Sequence, residues 1–323
     1  ELIMTEKKVE DLATRIRTAK QETATLRDAL SFGLYNNPEY GSVASNRRAT
    51  DEELRQAQSL YLPQVDVRAD AGYEINNDPS TRARGEDHVE DTRYDSSITL
   101  TQMLFDGFEA RYENLRQKYR VISASHRVRE VSEFVGLDIV EAYLDVIRQR
   151  ELLSIARDNV AEHVRILEQI QDSAQAGRTT DANVEQVKAR LASARAQESS
   201  VREALRNAES TYIAEVGMMP SELSLPVIPY DALTASVEDE VKVGLAQSPT
   251  LDVFEADVDV AYAEYQGAKS TYYPSFDLQL SARSADDVGG VDGRDKSASA
   301  LVVANWNLYN GGRDTALVRE QIN

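Results

Sequence analysis

The chain has 323 residues, of which 41% are hydrophobic, and a formal net charge of −19 at neutral pH. The length allows one large domain or two ordinary ones. The acidic balance argues against a nucleic-acid partner, whose phosphates require a basic surface. The absence of cysteine excludes disulfide bonds and Cys-ligated metal sites. No run of about 18 apolar residues occurs, so no transmembrane helix is predicted, although membrane strands leave a much weaker signal.

A charged helix is predicted for residues 1–22, where Leu2, Val9 and Ile16 follow a seven-residue spacing. We interpret this segment as a solvated N-terminal extension. The chain starts at Glu1 without a signal peptide, which indicates a mature or trimmed form.

Three landmarks of the sequence occur twice in the same order, at offsets of 211, 211 and 204 residues. The pairs are Asn37-Pro38 with Ser248-Pro249, Leu62-Pro63-Gln64 with Tyr273-Pro274-Ser275, and Asp106-Gly107 with Asn310-Gly311. Because three ordered matches are unlikely by chance, we interpret the chain as a duplicated unit with a pseudo-symmetric architecture.

Each copy is predicted to contain helices followed by two strands. The strands are expected at residues 64–75 and 94–105 in the first copy, joined by a polar loop, and at 275–284 and 297–308 in the second. Apolar and polar residues alternate along them, which is typical of strands whose two faces differ. The apolar positions include Val67, Ala69, Leu278 and Leu280, and the polar positions include Asp66, Arg68, Asp70, Asp277 and Gln279.

A long helical hairpin is predicted between the two copies, over residues 108–217. Apolar residues recur every seven positions along both arms, which indicates helices that pack side by side. The pattern breaks at 177–181, where Gly177 suits a helix C-cap and Thr180 or Asp181 the next N-cap. The predicted organisation is an extension (1–22), a first repeat (23–234) that ends in a linker (218–234), and a second repeat (235–323) that stops at the start of its own long helix.

No catalytic constellation, metal-ligand cluster or cofactor motif is found, and we expect the protein not to be an enzyme. The three histidines are far apart in the sequence. The acidic stretch from Asp286 to Asp295 lacks the spacing of an EF-hand, so we interpret it as an exposed loop.

The sequence resembles the TolC family of outer-membrane efflux and secretion ducts over about residues 24–323. The resemblance rests on the helix starts at Pro38 and Pro249, the strand starts at Pro63 and Pro274, and the strand-to-helix hinges. The hinge residues are Phe105, Asp106, Gly107, Tyr309, Gly311 and Gly312.

The resemblance implies a mainly α-helical chain with four strands, which forms a homotrimer with a shared twelve-stranded barrel and a periplasmic tunnel. It implies that the polar strand residues line the lumen and the apolar ones face lipid. It further implies docking of a periplasmic adaptor at the hairpin tip, and an inner-membrane ABC or RND transporter as a further partner. The tip residues are Gly177, Arg178, Thr179, Thr180 and Asp181, and Ala176-Gly177-Arg178 stands where many members have Val-Gly-Leu.

The expected function is passive conduction through an exit duct, opened when transporter and adaptor engage the tip. The Phe105-Asp106-Gly107 form favours the type I protein-secretion branch, with small-molecule efflux as the second interpretation. The alternative from another class is a soluble coiled-coil scaffold, whose sheet would bury its apolar face against helices.

A further expectation concerns the second repeat. The resemblance implies a long helical hairpin there as well, and the sequence stops before it. If the chain ends at Asn323, the heptad positions Ile139, Val146, Leu153 and Val160 should be partly exposed. The isolated chain is then expected to be a monomer or a non-native oligomer rather than a conducting trimer.

Overall fold

The computed structural model describes residues 25–85, 88–230 and 236–322; the extension predicted for residues 1–22 lies outside them. The Cα positions divide the chain into two compact units. One contains residues 1–46 and 126–250, and the other contains residues 47–125 and 251–323. In chain order the elements are α1 (Leu26–Asn36), α2 (Pro38–Ser59), β1 (Gln64–Asn76), α3 (Pro79–Ala83), β2 (Val89–Phe105), α4 (Glu109–Gln175), α5 (Asp181–Val216), α6 (Val237–Gln247), α7 (Pro249–Ala268), β3 (Ser275–Val288), β4 (Val291–Asn305) and α8 (Arg313–Glu320).

The duplication is visible in the helix boundaries. Helices α1 and α6 begin and end at positions 211 residues apart, and so do the starts of α2 and α7. The caps repeat as well. The Thr25 hydroxyl accepts a hydrogen bond from the Asp28 amide at 3.3 Å, and the Ser236 hydroxyl accepts one from the Asp239 amide at 3.2 Å. A hydroxyl at this position satisfies one of the free amides of the first helical turn.

The helical unit has a core between α1, α4 and α5. Ile139, Tyr143 and Val146 of α4 are fully buried against a group that includes Tyr212 and Val216 of α5. The Tyr143 hydroxyl donates to the Ser224 carbonyl at 2.6 Å, which fixes the segment after α5 to the hairpin. Burial raises the pKa of Tyr212 to about 12, as expected for a phenol removed from water.

The expectation that the heptad positions of α4 would be partly exposed is wrong for Ile139, Val146 and Leu153, whereas Val160 is partly exposed as expected. Ile139 and Val146 are 0% exposed and Leu153 is 5% exposed, while Val160 is partly buried. Side chains of α1 and α5 in the same chain cover Ile139 and Val146. In the part of α4 that belongs to this unit, the large apolar residues that remain exposed lie on another face of the helix: Phe134, Leu137, Leu144, Leu152 and Ile155.

The other unit contains one four-stranded antiparallel sheet in the order β1-β2-β3-β4. Gln64 pairs with Thr101 in the first hairpin and Ser275 with Asn305 in the second. These pairs are equivalent under the offsets of 211 and 204 residues, so both hairpins have the same register. Within the described residues, β1 and β4 each have one edge without a partner strand.

At the ends of the sheet that lie away from the strand-to-helix hinges, the strands are longer than the sequence indicated. Strand β2 begins at Val89 rather than 94, and the short helix α3 occupies part of the expected polar loop. The loop predicted for Asp286–Asp295 is wrong: β3 and β4 continue to Val288 and Val291 and are joined by Gly289-Gly290, both with positive φ. Strand β4 ends at Asn305 rather than 308, because its partner Ser275 is already the first residue of β3.

Candidate functional site

The register of the sheet sorts its side chains onto two chemically different faces. Asp66, Arg68 and Asp70 of β1 lie opposite Thr99, Ser97 and Asp95 of β2. The same odd-numbered positions of β2 pair with the odd-numbered positions of β3, which include Asp277 and Gln279. The five polar residues singled out in the sequence therefore share one face. Val67, Ala69, Leu278 and Leu280 share the other.

The apolar face is open to its surroundings. Val67 is 74% exposed, Ile98 is 48% exposed and Val302 is 64% exposed. A scaffold protein would cover such a face with helices, because an exposed apolar patch of this kind marks an interaction surface. In the described parts of the chain, these side chains remain uncovered, which contradicts the scaffold interpretation.

The polar face carries a network of ion pairs that the sequence did not predict. Asp70 and Asp95 lie directly opposite each other, an unfavourable arrangement for two carboxylates. The Arg93 guanidinium lies 2.9 Å from Asp70, 3.2 Å from Glu74 and 3.5 Å from Asp95. Arg283 of β3 donates from Nε to Asp95 at 2.9 Å. The contact between Arg283 and Asp95 depends on the β2–β3 register, which single-sequence patterning does not give.

The first strand-to-helix hinge is built on Asp106 and two residues with left-handed backbone. Gly107 has φ of +71° and Phe108 has φ of +73°. The Asp106 carboxylate accepts a hydrogen bond from the Ala110 amide at 2.6 Å, which caps the first turn of α4. Glycine adopts positive φ without steric cost, whereas phenylalanine does not.

The rings around Phe108 account for the residue that occupies this position. Phe108 packs edge-on against Phe105 at 5.2 Å and against Tyr273 at 5.9 Å between ring centroids. Edge-to-face pairs of this kind stabilise a fold by about 0.5–1.5 kcal/mol each beyond their burial. These contacts attach the hinge of the first repeat to Tyr273, which lies just before the first strand of the second repeat.

The second hinge has the same two consecutive residues with left-handed backbone as the first, but without an aromatic ring at the second of them. Gly311 and Gly312 have φ of +72° and +86°, and Asn310 accepts from the Asp314 amide at 3.4 Å. Gly312 is thus the counterpart of Phe108. Tyr309, predicted as a hinge residue, is 83% exposed. Pro63 and Pro274 immediately precede β1 and β3, as the sequence indicated.

Carboxylates are concentrated at the start of α4. Burial raises the pKa of Glu109, and the neighbouring Asp106 and Glu113 carboxylates add to this shift. A hydrogen bond from Arg116 lowers the pKa of Glu113. The first turns of α4 therefore hold one carboxyl that is easier to protonate and one that is held ionised.

The hairpin tip is a short exposed turn between α4 and α5. Gly177 has φ of +69°, and the Arg178 amide donates to the Ser173 carbonyl at 2.8 Å, which closes the last turn of α4. Thr180 is the N-cap of α5, but its side chain makes no capping hydrogen bond. The Asn183 amide group instead donates to the Thr179 hydroxyl at 2.8 Å. The Arg178 and Asp181 side chains are exposed.

A family model described as "Outer membrane efflux protein" matches residues 29–214, more than half of the chain. The chain belongs to this family. Residues 29–214 contain the first copy of the sheet hairpin, the first hinge and most of the helical hairpin.

Two curated proteins illustrate the relationship. The chain is 28% identical over 299 residues to the outer membrane efflux protein BepC of Brucella suis biovar 1, which covers 92% of this chain and 63% of BepC. It is 25% identical over 294 residues to the outer membrane protein TolC of Vibrio cholerae, which covers 88% of this chain and 65% of TolC. The chain thus spans less than two thirds of the length of these relatives.

Solved structures show the same fold. The Campylobacter jejuni CmeC outer membrane channel superposes with a TM-score of 0.78 at 15% identity, over 92% of this chain and 64% of CmeC. The outer membrane protein VceC from Vibrio cholerae superposes with a TM-score of 0.75 at 16% identity, over 92% of this chain and 72% of VceC. The predicted fold class, mainly α-helical with four antiparallel strands and a long helical hairpin, is confirmed. Of the described helices, none is both long and apolar enough to cross a bilayer.

Proposed function

We propose that this chain forms part of an outer-membrane exit duct in a three-component export system. The observation that carries the proposal is the two-faced sheet, with an exposed apolar face, a charged opposite face and an open edge on each side. Backbone groups at an open edge cannot be left unpaired in lipid. We infer that the sheet closes with strands from further copies.

Three copies would give a closed barrel of twelve strands. That number is even and lies within the bacterial range of membrane barrels. The strands have 13 to 17 residues, more than the roughly 9–11 that a tilted strand needs to cross the hydrocarbon core. The apolar face would then meet lipid, and the charged face would line a water-filled lumen.

Conduction in this proposal is passive. The long helices α4 and α5 would extend into the periplasm, and their tip at residues 177–181 would meet a periplasmic adaptor protein. An inner-membrane transporter of the ABC or RND class would supply cargo. The chain itself would provide the path, with no chemical step and no cofactor.

For the cargo we propose proteins exported by type I secretion, on the strength of the Phe105-Asp106-Gly107 hinge form. Small-molecule efflux is the second candidate, favoured by the description of the family. A deletion strain separates the two: loss of a secreted protein supports the first, and increased sensitivity to toxic compounds alone supports the second. Neither change, together with no conductance of the purified protein in planar bilayers, would contradict the proposed duct.

The assignment of the two faces can be tested by cysteine labelling. In the assembled protein, Leu278→Cys and Leu280→Cys should react with a lipid-soluble maleimide, because these side chains are proposed to face lipid. Asp277→Cys and Gln279→Cys should react with a membrane-impermeant, water-soluble maleimide. The four sites are consecutive residues of one strand and alternate between its two faces. A difference in labelling therefore reports the face rather than the depth of the site in the membrane. Strong aqueous labelling at 278 and 280 would contradict the barrel.

The hairpin tip can be tested by reversing one charge. Arg178→Glu should weaken crosslinking to the adaptor and reduce export, because an exposed charge guides a partner more than it stabilises a fold. Arg190→Glu, also an exposed position on the hairpin, is the matched control. Both variants should unfold like the parent protein. Export that is equal in the two variants would indicate that the tip residues act only as helix caps.

A further inference from the structure

The tip of the second sheet hairpin, at the end of the sheet away from the hinges, is bent. Just before the turn, the register between β3 and β4 shifts, and Asp287 at this point has φ of +53°. The Gly293 amide donates to the Asp287 carboxylate at 2.7 Å, which stabilises the irregular backbone. A bulge of this kind bends its strand and redirects the residues that follow. Those residues are the two-residue turn Gly289-Gly290.

This turn lies against the polar face of the first hairpin. Asn76 and Val89 form the last pair of β1 and β2, and by the alternation along these strands both belong to the polar face. A Cβ atom added at Gly290 would lie 3.1 Å from Cβ of Asn76 and 3.6 Å from Cβ of Val89. Because these Cβ atoms project from the polar face, the turn lies over that face rather than beyond the end of the sheet.

The short helix α3 packs on the same turn. Thr81 is 0% exposed, and its Cγ2 atom would lie 2.9 Å from a Cβ atom added at Gly290. The Arg84 guanidinium, directly after α3, donates to the Gly290 carbonyl. The offset between the repeats falls from 211 to 204 residues across the hairpin connection, so the first connection is seven residues longer than the second, and α3 lies within it. The longer connection of the first repeat therefore binds the turn of the second.

We infer that α3 and the Gly289-Gly290 turn form a lid that narrows the end of the duct away from the hinges, and that Arg84 holds the lid in place. The inference rests on the proposed function, since the polar face lines a lumen only in a closed assembly. Each copy would place one lid at this mouth. Because the diameter of a pore limits which solutes enter it, the lids should slow large solutes more than small ones.

The test is the rate at which a cysteine in the lumen reacts with maleimides of two sizes, added outside intact cells that produce the protein. Gln279→Cys is the reporter, and the chain has no other cysteine. The two reagents are a small water-soluble maleimide and a maleimide on a polyethylene glycol chain. Arg84→Ala in the reporter protein should increase the rate with the polymer, because the turn is no longer bound to α3. The rate with the small maleimide should be nearly unchanged.

Two matched controls separate the lid from general effects. Arg82→Ala removes the same charge two residues away, but Arg82 donates to the Asn77 carbonyl at 3.2 Å within its own connection, so the polymer rate should not change. The two glycines of the turn form a second pair, because Gly289 and Gly290 have similar φ of +70° and +65°. An added Cβ atom at Gly289 would meet nothing described within 4 Å. Only Gly290→Ala should displace α3 and increase the polymer rate.

The outcomes distinguish the lid from the duct. Equal polymer rates in the reporter protein, in Arg84→Ala and in Gly290→Ala would overturn the lid and leave the duct intact. Equal increases in Arg84→Ala and Arg82→Ala, or in the two glycine variants, would also overturn the lid, because they would indicate an effect of charge or of backbone strain alone. A reporter that does not react even with the small maleimide would overturn the duct, and the lid with it.

Discussion

Replacing Gly107 with alanine should lower the free energy of unfolding by roughly 2–5 kcal/mol. The position has φ of +71°, which disfavours any side chain. In addition, an added Cβ atom would lie 2.7 Å from the Ser270 carbonyl oxygen and 3.0 Å from Cβ of Tyr273. A backbone atom cannot rotate away, so the hinge itself would have to shift. Chemical denaturation of the purified chain, followed by the fluorescence of its single tryptophan, Trp306, measures the loss.

The second hinge supplies a matched control for this prediction. Gly311 has φ of +72°, but an added Cβ atom would meet nothing within 4 Å among the described residues. Gly311→Ala should therefore lower the free energy of unfolding only through the unfavourable positive φ of alanine, by about 1–2 kcal/mol. Similar losses for the two variants would show that backbone conformation, rather than the close approach of the two repeats, explains the glycine at 107.

Replacing Ile139 with alanine should destabilise the helical unit by about 2–5 kcal/mol, because the side chain is fully buried and leaves a cavity. Leu137 is on the same helix, two residues away, and is 54% exposed. Leu137→Ala should change the free energy of unfolding of the isolated chain by no more than about 1 kcal/mol. Thermal unfolding followed by circular dichroism compares the two. If Leu137→Ala were the more damaging change, our account of which face α4 buries would be incorrect.

Gly33 of α1 gives an independent test of the same core. An added Cβ atom there would lie 2.5 Å from Cδ1 of Ile139, so Gly33→Ala alone should be destabilising. In the Ile139→Ala background the same substitution has room and should be neutral or stabilising. The double-mutant cycle should therefore show strong coupling. At the repeat-equivalent Gly244, nothing described lies within 4 Å of an added Cβ atom, and alanine there should stabilise the helix by about 0.8–1 kcal/mol.

Local signals in the sequence were sufficient to place most element boundaries near the hinges. The prolines at 38 and 249 start helices, and those at 63 and 274 precede strands, because proline restricts both its own backbone and that of the preceding residue. Glycine at 177 ends the long helix for a similarly local reason. The assignment of the strand faces also followed from the sequence, since alternation with period two is a local pattern.

Features that depend on contacts between distant segments were not predictable from one sequence. The stretch from Glu90 to Arg93 has no apolar alternation, yet it forms strand because it pairs with the end of β1. The burial of Ile139 depends on how α1 lies against the hairpin. Phe108 gave no sign of its left-handed backbone, because the rings that hold it come from other parts of the chain. The sequence offers one indication of this conformation. The residue equivalent to Phe108 in the second hinge is Gly312, and glycine is the residue that most readily adopts positive φ.

The common register of the two sheet hairpins makes them interchangeable modules for protein engineering. Because the ladder within β1 and β2 and the ladder within β3 and β4 have the same register, a designed chain could carry a third hairpin between β2 and β3 and keep the antiparallel order. The diameter of a barrel grows roughly in proportion to the number of its strands. Three copies of such a chain would supply eighteen strands, as many as the wide aqueous porins. In the proposed barrel, the duplication would allow the bore to be altered in discrete steps, by adding or removing whole hairpins.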